Sequence, residues 1–346
     1  MTPFLSSPLP DWRSLADGAL EATVVGSFTR WGLLARRAMG PWEDLDALSL
    51  TGRTVLLTGA TSGLGLATAH RVAAMGASLR IVGRDPEKTV GVRDALRSES
   101  GNPDVEHYLA DLADLEQVRA LGAAVLAREP RLDVLVHNAG ALLATRTLSP
   151  QGHEVSYASM VLGPALCTEL LLPLLEASAA PAAEPPRPAR VILVSSGGMY
   201  TQRLDVDDPE SQHDYRGSVA YAKAKRAQVV LAEEWAEQWR SRGSVVHAMH
   251  PGWAATPGVH ASLPTFEKVM GPLLRTADEG ADTIVWLVAS DEPTRTTGGF
   301  WHDRRARAPY RVPRTREAPG DRDRLRAEVD AAIAPFRSPT DDSGLG

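Results

Sequence analysis

The chain has 346 residues, of which 43% are hydrophobic, and a formal net charge of −6. This length suffices for one large domain or two modest ones, and the hydrophobic fraction is that of an ordinary globular core. The negative charge argues against a nucleic-acid partner. A single cysteine, Cys167, excludes an internal disulfide and a cysteine metal cage, so we predict no metal site of that kind. Neither a spanning helix nor a secretion signal is predicted, and we therefore expect a cytoplasmic protein.

The pattern divides the chain into three parts. Residues 1–50 form an N-terminal extension, residues 51–310 the main domain, and residues 311–346 an Arg-rich tail with a short helix at 321–333. We expect the arginines from Arg304 onward to lie on a solvated face.

The segment 15–39 has aromatic and aliphatic side chains, few charges, and two arginines, Arg36 and Arg37, near its end. Two arrangements fit such a segment. It can pack as a helix on the main domain, which we favour because amphipathic core helices are common. It can also lie in a membrane interface with Phe28 and Trp31 as anchors, which would make the protein membrane-associated.

The main domain begins with an apolar run, Val55–Leu57, followed by a glycine-rich turn and by apolar residues at helical spacing. This pattern predicts a strand, a turn and a helix. Glycines in the turn let a pyrophosphate approach the backbone, and the helix N-terminus offers free N–H groups. The candidate cofactor-binding residues in this turn are Thr58, Gly59, Ser62, Gly63, Leu64 and Gly65.

The end of the second predicted strand, Ser78–Val82, bears on the choice of cofactor. An acidic residue there would bind a ribose 2′-hydroxyl and select NAD, whereas a cation accommodates a 2′-phosphate. Gly83 stands at that place and Arg84 follows it, although Asp85 is adjacent. We therefore predict NADP(H) as the cofactor and consider NAD(H) the weaker alternative.

The third and fourth predicted strands, 105–109 and 132–137, place further candidate residues at the same edge of a sheet. Alternation of strands and helices predicts an α/β fold with one Rossmann-like, doubly wound parallel sheet and helices on both faces. Asp111 follows the third strand, where it can contact a ligand in the crevice, and the alternative is that it serves as the N-cap of the next helix. The candidate residues are Asp111, Leu112, Asn138, Ala139 and Gly140.

The catalytic candidates are Ser196, Tyr221 and Lys225. Carbonyl reduction needs an acid for the oxygen, and a tyrosine can serve when its pKa is lowered. Lysine four residues later lies on the same helix face, and its charge favours the phenolate. Tyr221 is the only one of the six tyrosines with such a lysine. A surface helix that happens to carry Tyr and Lys is the structural alternative.

A turn with Pro251, Gly252 and Thr256 follows a predicted strand at 245–249 and borders the same edge. Residues 257–275 after it are predicted to form a mobile lid that contacts substrate. The apolar side chains of this lid are Leu263, Phe266, Met270 and Leu273. They favour a small lipophilic substrate, and the alternative is that they pack on the body of the domain.

Together these motifs resemble the short-chain dehydrogenase/reductase superfamily over about residues 30–303. Within it the chain is similar to the branch of dehydrogenase/reductase family member twelve, relatives of the retinol dehydrogenases. The branch resemblance rests on VSSGGMY at 194–200, YAKAKRAQVVLAEEWA at 221–236 and MHPGWAATPGV at 249–259.

The resemblance implies a role for each site residue. Tyr221 would be the general acid or base, Lys225 would lower its pKa and hold the nicotinamide ribose, and Ser196 would bind the substrate oxygen. Asp111 would contact the adenine ring, and the turn at 251–256 would clamp the nicotinamide and the diphosphate.

One expected residue is missing, because Met160 stands where many relatives have an asparagine that kinks a helix and supports a proton relay. We predict an NADP(H)-dependent oxidoreductase that interconverts an alcohol and a carbonyl on an apolar molecule. The alternative is a catalytically weak cofactor-binding regulatory or scaffold protein, which Met160 favours. The superfamily often forms homodimers or homotetramers through helices that would here be 153–178 and 221–242.

Overall fold

The computed structural model describes residues 12–179, 187–256 and 270–337, together with residues 258 and 268. Most of the predicted lid lies outside the described residues, including its Leu263 and Phe266. Met270 precedes a short 3₁₀ turn, Gly271–Leu273.

A single sheet of eight strands forms the centre of the described structure, in the order β3-β2-β1-β4-β5-β6-β7-β8. Strands β1 to β7 pair in parallel, and β8 pairs with β7 in antiparallel fashion. The strand order reverses between β1 and β4, so a crevice opens at their carboxyl ends. The strands are β1 (Thr54–Thr58), β2 (Ser78–Gly83), β3 (Val105–Leu109), β4 (Val134–His137), β5 (Ala189–Val194), β6 (Ser244–Met249), β7 (Phe300–His302) and β8 (Arg305–Arg307).

Helices cover both faces of this sheet. Leu56 of β1 points into one buried apolar cluster, while its neighbours Val55 and Leu57 point into the other. The prediction of a doubly wound α/β fold is therefore confirmed. The described helices are α1 (Trp12–Glu21), α2 (Val24–Phe28), α3 (Arg30–Met39), α4 (Gly63–Ala74), α5 (Pro86–Ser100), α6 (Leu115–Arg128), α7 (Val155–Tyr157), α8 (Gly163–Ala179), α9 (Gly217–Gln238), α10 (Ala277–Ala289) and α11 (Asp321–Ile333).

A π-helical segment, Ala158–Leu162, joins α7 to α8 and contains Met160. The whole stretch Val155–Ala179 is long and apolar enough to cross a membrane, but 83% of its most apolar window is buried inside the protein. A core helix of a soluble domain has the same composition.

The segment 15–39 folds into helices that pack on the domain. Phe28, Leu33 and Arg36 are buried within the protein. Other apolar side chains of the same region remain exposed, so contact with a membrane stays a prediction. These exposed side chains are Trp12, Leu15, Val24, Val25, Trp31 and Leu34.

The expectation that the C-terminal arginines are solvated was wrong for the first of them. Arg304 pairs with Asp282 at 2.7 Å, and Arg307 pairs with Asp17 of the N-terminal helix, also at 2.7 Å. Their carboxylate partners lie far away in the sequence, so no local pattern reveals the pairing. Arg311 of the tail pairs in turn with Glu21 of α1, so both the end of the main domain and the tail are fastened to the N-terminal extension.

Helix α11 packs across α8 and α9 within one chain. Arg322 lies 3.2 Å from Glu234 on α9, and Arg337 lies 2.6 Å from Glu169 on α8. These contacts occupy part of the surface through which we expect subunits to pair. A homodimer or homotetramer therefore stays a prediction, which sedimentation analysis would test.

Candidate active site

Hydrogen bonds fasten the glycine-rich turn after β1 to the segment after β4. The Thr58 hydroxyl accepts from the backbone N–H groups of Asn138 and Ala139 at 3.1 and 3.2 Å. The Asn138 amide donates to the Gly59 carbonyl at 3.1 Å. A Cβ at Gly65 would lie 2.2 Å from the Gly59 oxygen, so only glycine fits this approach of helix to turn.

The start of α4 suits an anion. Ser62 is its N-cap residue, with an exposed position and a side chain that makes no capping hydrogen bond. Gly63 and Leu64 follow in the first turn and are partly exposed. The N–H groups of this first turn therefore face outward beside the glycine turn, where a pyrophosphate can accept from them.

The end of β2 has no room for an acidic side chain. A Cβ at Gly83 would lie 2.2 Å from the Thr89 hydroxyl and 2.9 Å from the Thr61 methyl. Arg84 has a side chain 73% exposed, with its guanidinium 3.9 Å from the Asp111 carboxylate. Thr61 was not predicted as a site residue, because a position between the glycines of the turn carries no signal of its own.

The N-cap alternative for Asp111 was wrong, since Asp114 is the N-cap of α6. Asp111 instead accepts from the Ala113 N–H at 3.0 Å and stays partly exposed at the edge of the sheet. Leu112 is buried, and a Cβ at Gly163 would lie 2.2 Å from its carbonyl oxygen. The backbone after β3 thus packs closely against the start of α8.

Strand β5 sends its two following serines in different directions. The buried Ser195 hydroxyl donates to the Lys225 carbonyl at 2.8 Å and so holds α9 against the sheet. The Ser196 hydroxyl accepts from the Gly198 N–H at 3.2 Å and is partly exposed. It interacts with the phenol of Tyr221. Only Ser196 is placed to reach a molecule in the crevice.

Lys225 lies one turn after Tyr221 on α9. Its ammonium donates to the Val194 carbonyl at 2.7 Å and lies 5.5 Å from the centre of the Tyr221 ring. Burial lowers the pKa of Lys225 to about 7. Burial also raises the pKa of Tyr221, which the Ser196 hydroxyl opposes. The lysine therefore loses its charge more readily than an exposed lysine does.

Met160 and Lys225 both border Gly140. A Cβ at Gly140 would lie 2.9 Å from the Met160 sulfur and 3.3 Å from the Lys225 ammonium. Met160 is completely buried within the π-helical segment. The helix is thus distorted at this position without an asparagine, and the Met160 thioether and the Lys225 ammonium both lie on the side of Gly140 where a Cβ would stand.

The turn after β6 borders the site on the side away from the glycine-rich turn. Gly252 has φ +76°, a left-handed conformation that favours glycine. The buried Arg275 guanidinium donates to the Pro251 carbonyl at 3.1 Å, and Thr256 is partly exposed at the end of the turn. Arg275 was not predicted as a site residue, because it lies in a stretch that we predicted to be a lid.

The residues around this crevice fit a dinucleotide. Glycines stand wherever a Cβ would obstruct the turn, helix N–H groups face outward, and a cation stands at the end of β2. Hydroxyl, phenol and ammonium groups lie farther along the same edge. Such a set can hold a nicotinamide cofactor and exchange a proton with a bound alcohol or carbonyl compound.

Comparisons with known proteins agree with this geometry. Residues 53–265 match the family model described as short chain dehydrogenase. Dehydrogenase/reductase SDR family member 12 of Bos taurus is 36% identical over 82% of this chain and 86% of the relative. Retinol dehydrogenase 14 of Mus musculus is 33% identical over 82% and 88%. The Pseudomonas aeruginosa RhlG/NADP active-site complex superimposes with a TM-score of 0.59, at 26% identity over 73% of this chain and 94% of that structure.

Proposed function

The chain belongs to the short-chain dehydrogenase family, whose members are NAD(P)-dependent oxidoreductases acting on CH–OH groups, and from this premise we propose that it uses NADP(H) to interconvert an apolar alcohol and its carbonyl compound. The observation that carries the proposal is the placement of Ser196, Tyr221 and Lys225 at the carboxyl edge of the sheet, beside the glycine turn. No other described tyrosine is followed by a lysine at the same spacing.

The cofactor and the three site residues each take one part in the reaction. The bound cofactor supplies or accepts the hydride. Tyr221 donates a proton to the carbonyl oxygen in reduction, because a phenol of ordinary pKa, near 10, is protonated at neutral pH. Ser196 donates a hydrogen bond to the same oxygen as negative charge develops there. Oxidation needs the phenolate, which a charged Lys225 favours.

Two observations support NADP(H). A carboxylate side chain cannot replace Gly83 without a collision with Thr89, and the exposed Arg84 can meet a 2′-phosphate. The structurally similar RhlG is described as an NADP complex. An apolar substrate is supported by the similarity to a retinol dehydrogenase.

The test is a fluorescence titration of the protein with NADPH and with NADH, repeated on Arg84→Ala. We expect tight NADPH binding that weakens about tenfold in the variant, since a charge-assisted contact contributes about 1.5 to 3 kcal/mol and exposure reduces it. NADH binding should hardly change. Arg240→Ala, which removes an exposed arginine just after the C-terminal end of α9, is the matched control.

Two results would contradict the proposal. A wild-type preference for NADH would show that Arg84 does not select the cofactor. If neither nucleotide binds, the proposal of a nicotinamide cofactor fails altogether. If NADPH binds but no apolar carbonyl compound is reduced, the alternative of a catalytically weak regulatory or scaffold protein is favoured. Met160, which stands where many relatives have an asparagine, supports that alternative.

A further inference from the structure

The end of α2 in the N-terminal extension lies between two loops of the candidate active site. One loop is the Ser196–Gly197 turn after β5, and the other is the turn at residues 250–256 after β6. The Phe28 carbonyl accepts from the Trp253 N–H at 2.8 Å. A Cβ at Gly197 would lie 2.5 Å from the Phe28 ring, so the neighbour of Ser196 has to be glycine while this ring is present.

The Phe28 side chain is a wedge between these loops. It is 2% exposed. Its ring centre lies 4.5 Å from that of His250 and 5.8 Å from that of Trp253, in edge-to-face contacts. It also stacks at 6.2 Å on Tyr200, which belongs to the turn after Ser196. One residue of the extension thus contacts both loops.

Buried charges hold this wedge in place. The Arg275 guanidinium donates to the carbonyls of Ser27 and Thr29, on either side of Phe28, and to Pro251 of the second loop. Asp303 pairs with Arg275 at 2.6 Å, and all of these guanidinium contacts are shielded from solvent. The backbone of α2 is therefore tied to the same loop that its side chain packs against.

We propose that Phe28 is a positioning residue that sets the distance between Ser196 and the loop at 251–256, so that the N-terminal extension completes the nicotinamide half of the site. The inference rests on the proposed function. It separates the two halves of the cofactor site. The ring contacts of Phe28 are with the loops after β5 and β6 and with β7, whereas the glycine turn and Arg84 of the adenosine half follow β1 and β2 on the other side of the sheet's switch point.

The test compares Phe28→Ala with the wild-type protein in three measurements: affinity for NADPH, affinity for adenosine 2′,5′-bisphosphate, and kcat. The bisphosphate is the adenosine half of NADPH without the nicotinamide. We expect NADPH affinity and kcat to fall by about tenfold to a hundredfold, the size of effect that a shift of about 1 Å at a reacting centre produces. Bisphosphate affinity should stay within about twofold, because distant sites are independent.

Leu325→Ala is the matched control for general destabilisation, since Leu325 is a buried residue of α11 in the core. It should lower the melting temperature but leave both affinities and kcat unchanged. If Phe28→Ala weakens NADPH and the bisphosphate equally, or changes nothing, the positioning role is refuted while the proposed function stands. If the wild-type protein binds neither compound, the proposed function fails and the inference fails with it.

A second pair of variants tests the wedge if Phe28→Ala does not fold. Gly197→Ala places a methyl group against the Phe28 ring and should lower kcat. Adding Phe28→Leu to it should restore part of kcat, because the smaller side chain makes room. A neutral Gly197→Ala, or a double variant as inactive as the single one, would overturn the proposal.

Discussion

Substitution of Asp303 by asparagine is expected to weaken the attachment of the N-terminal extension. Asp303 is fully buried and accepts from Arg36 at 2.6 Å and from Arg275 at 2.6 Å. Its φ of +50° is a left-handed conformation that asparagine also tolerates. The change therefore leaves the backbone as it is, removes the negative charge, and replaces one accepting oxygen by an NH2 group that faces arginine N–H donors.

The size of the expected loss in free energy of unfolding follows from the ion pairs that each arginine keeps after the substitution. Arg36 keeps Asp17 at 2.7 Å and Glu21 at 2.9 Å. Among the residues that the structure describes, Asp303 is the only carboxylate paired with Arg275. One buried cation is thus left without its partner, which typically costs about 3 to 5 kcal/mol.

A thermal melt and a urea titration of wild-type and Asp303→Asn proteins measure this loss. We expect the melting temperature to fall by about 5 to 15 °C, since each kcal/mol shifts a domain of this size class by a few degrees. Asp46→Asn, which breaks an exposed ion pair with Arg71, is the control and should cost less than about 1 kcal/mol. A loss for Asp303→Asn no larger than the control would refute the reasoning.

Three further predictions concern the site and the surface. Burial lowers the pKa of Lys225 from 10.5 to about 7, so between these values the folded protein releases a proton that the unfolded chain keeps. The free energy of unfolding of the wild-type protein should therefore rise with pH through this window, relative to that of Lys225→Met, by at most about 1.4 kcal/mol per pH unit. Urea titrations at several pH values measure it, and the same pH dependence in both proteins would contradict this prediction. Gly65→Ala should weaken NADPH binding at least about tenfold in the fluorescence titration, whereas Gly91→Ala, where a Cβ meets nothing within 4 Å, should leave binding unchanged. If the exposed Trp31 contacts a membrane, wild-type protein should float with anionic vesicles in a flotation assay, and the Trp31→Ser variant should float less. The contact is contradicted if both proteins stay in the soluble fraction and neither floats with the vesicles.

The sheet and its helices could be predicted because their signals are local. Apolar runs of strand length alternate with segments of helical period, and each run is short enough to read without knowledge of its partners. Strand β8, Arg305–Arg307, was not predicted. It is a polar, three-residue strand at the edge of the sheet, and it pairs in the antiparallel direction through a turn at Asp303 and Arg304 that contains no glycine. Such a strand has no periodicity to detect.

The site could be predicted in part for the same reason. Tyr221 and Lys225 are neighbours on one helix, so their relation follows from helix geometry alone. Phe28 and Arg275 reach the site from elements that are distant in the sequence, and the buried pairing of Arg36 with Asp303 joins residues 267 positions apart. These contacts depend on how the finished elements pack, which a single sequence does not reveal.

The most direct test of the account is the consumption of NADPH by the wild-type protein and by Tyr221→Phe with a panel of apolar aldehydes and ketones, retinal among them. We predict reduction of at least one carbonyl compound by the wild-type protein. In the variant the rate should be lower by about a hundredfold to ten-thousandfold, because the acid that protonates the oxygen is gone while the ring remains. Tyr108→Phe, which alters a tyrosine on β3 that pairs with Glu129, should retain activity. A wild-type protein that binds NADPH but reduces none of these compounds, or a Tyr221→Phe variant as active as wild type, would contradict the account.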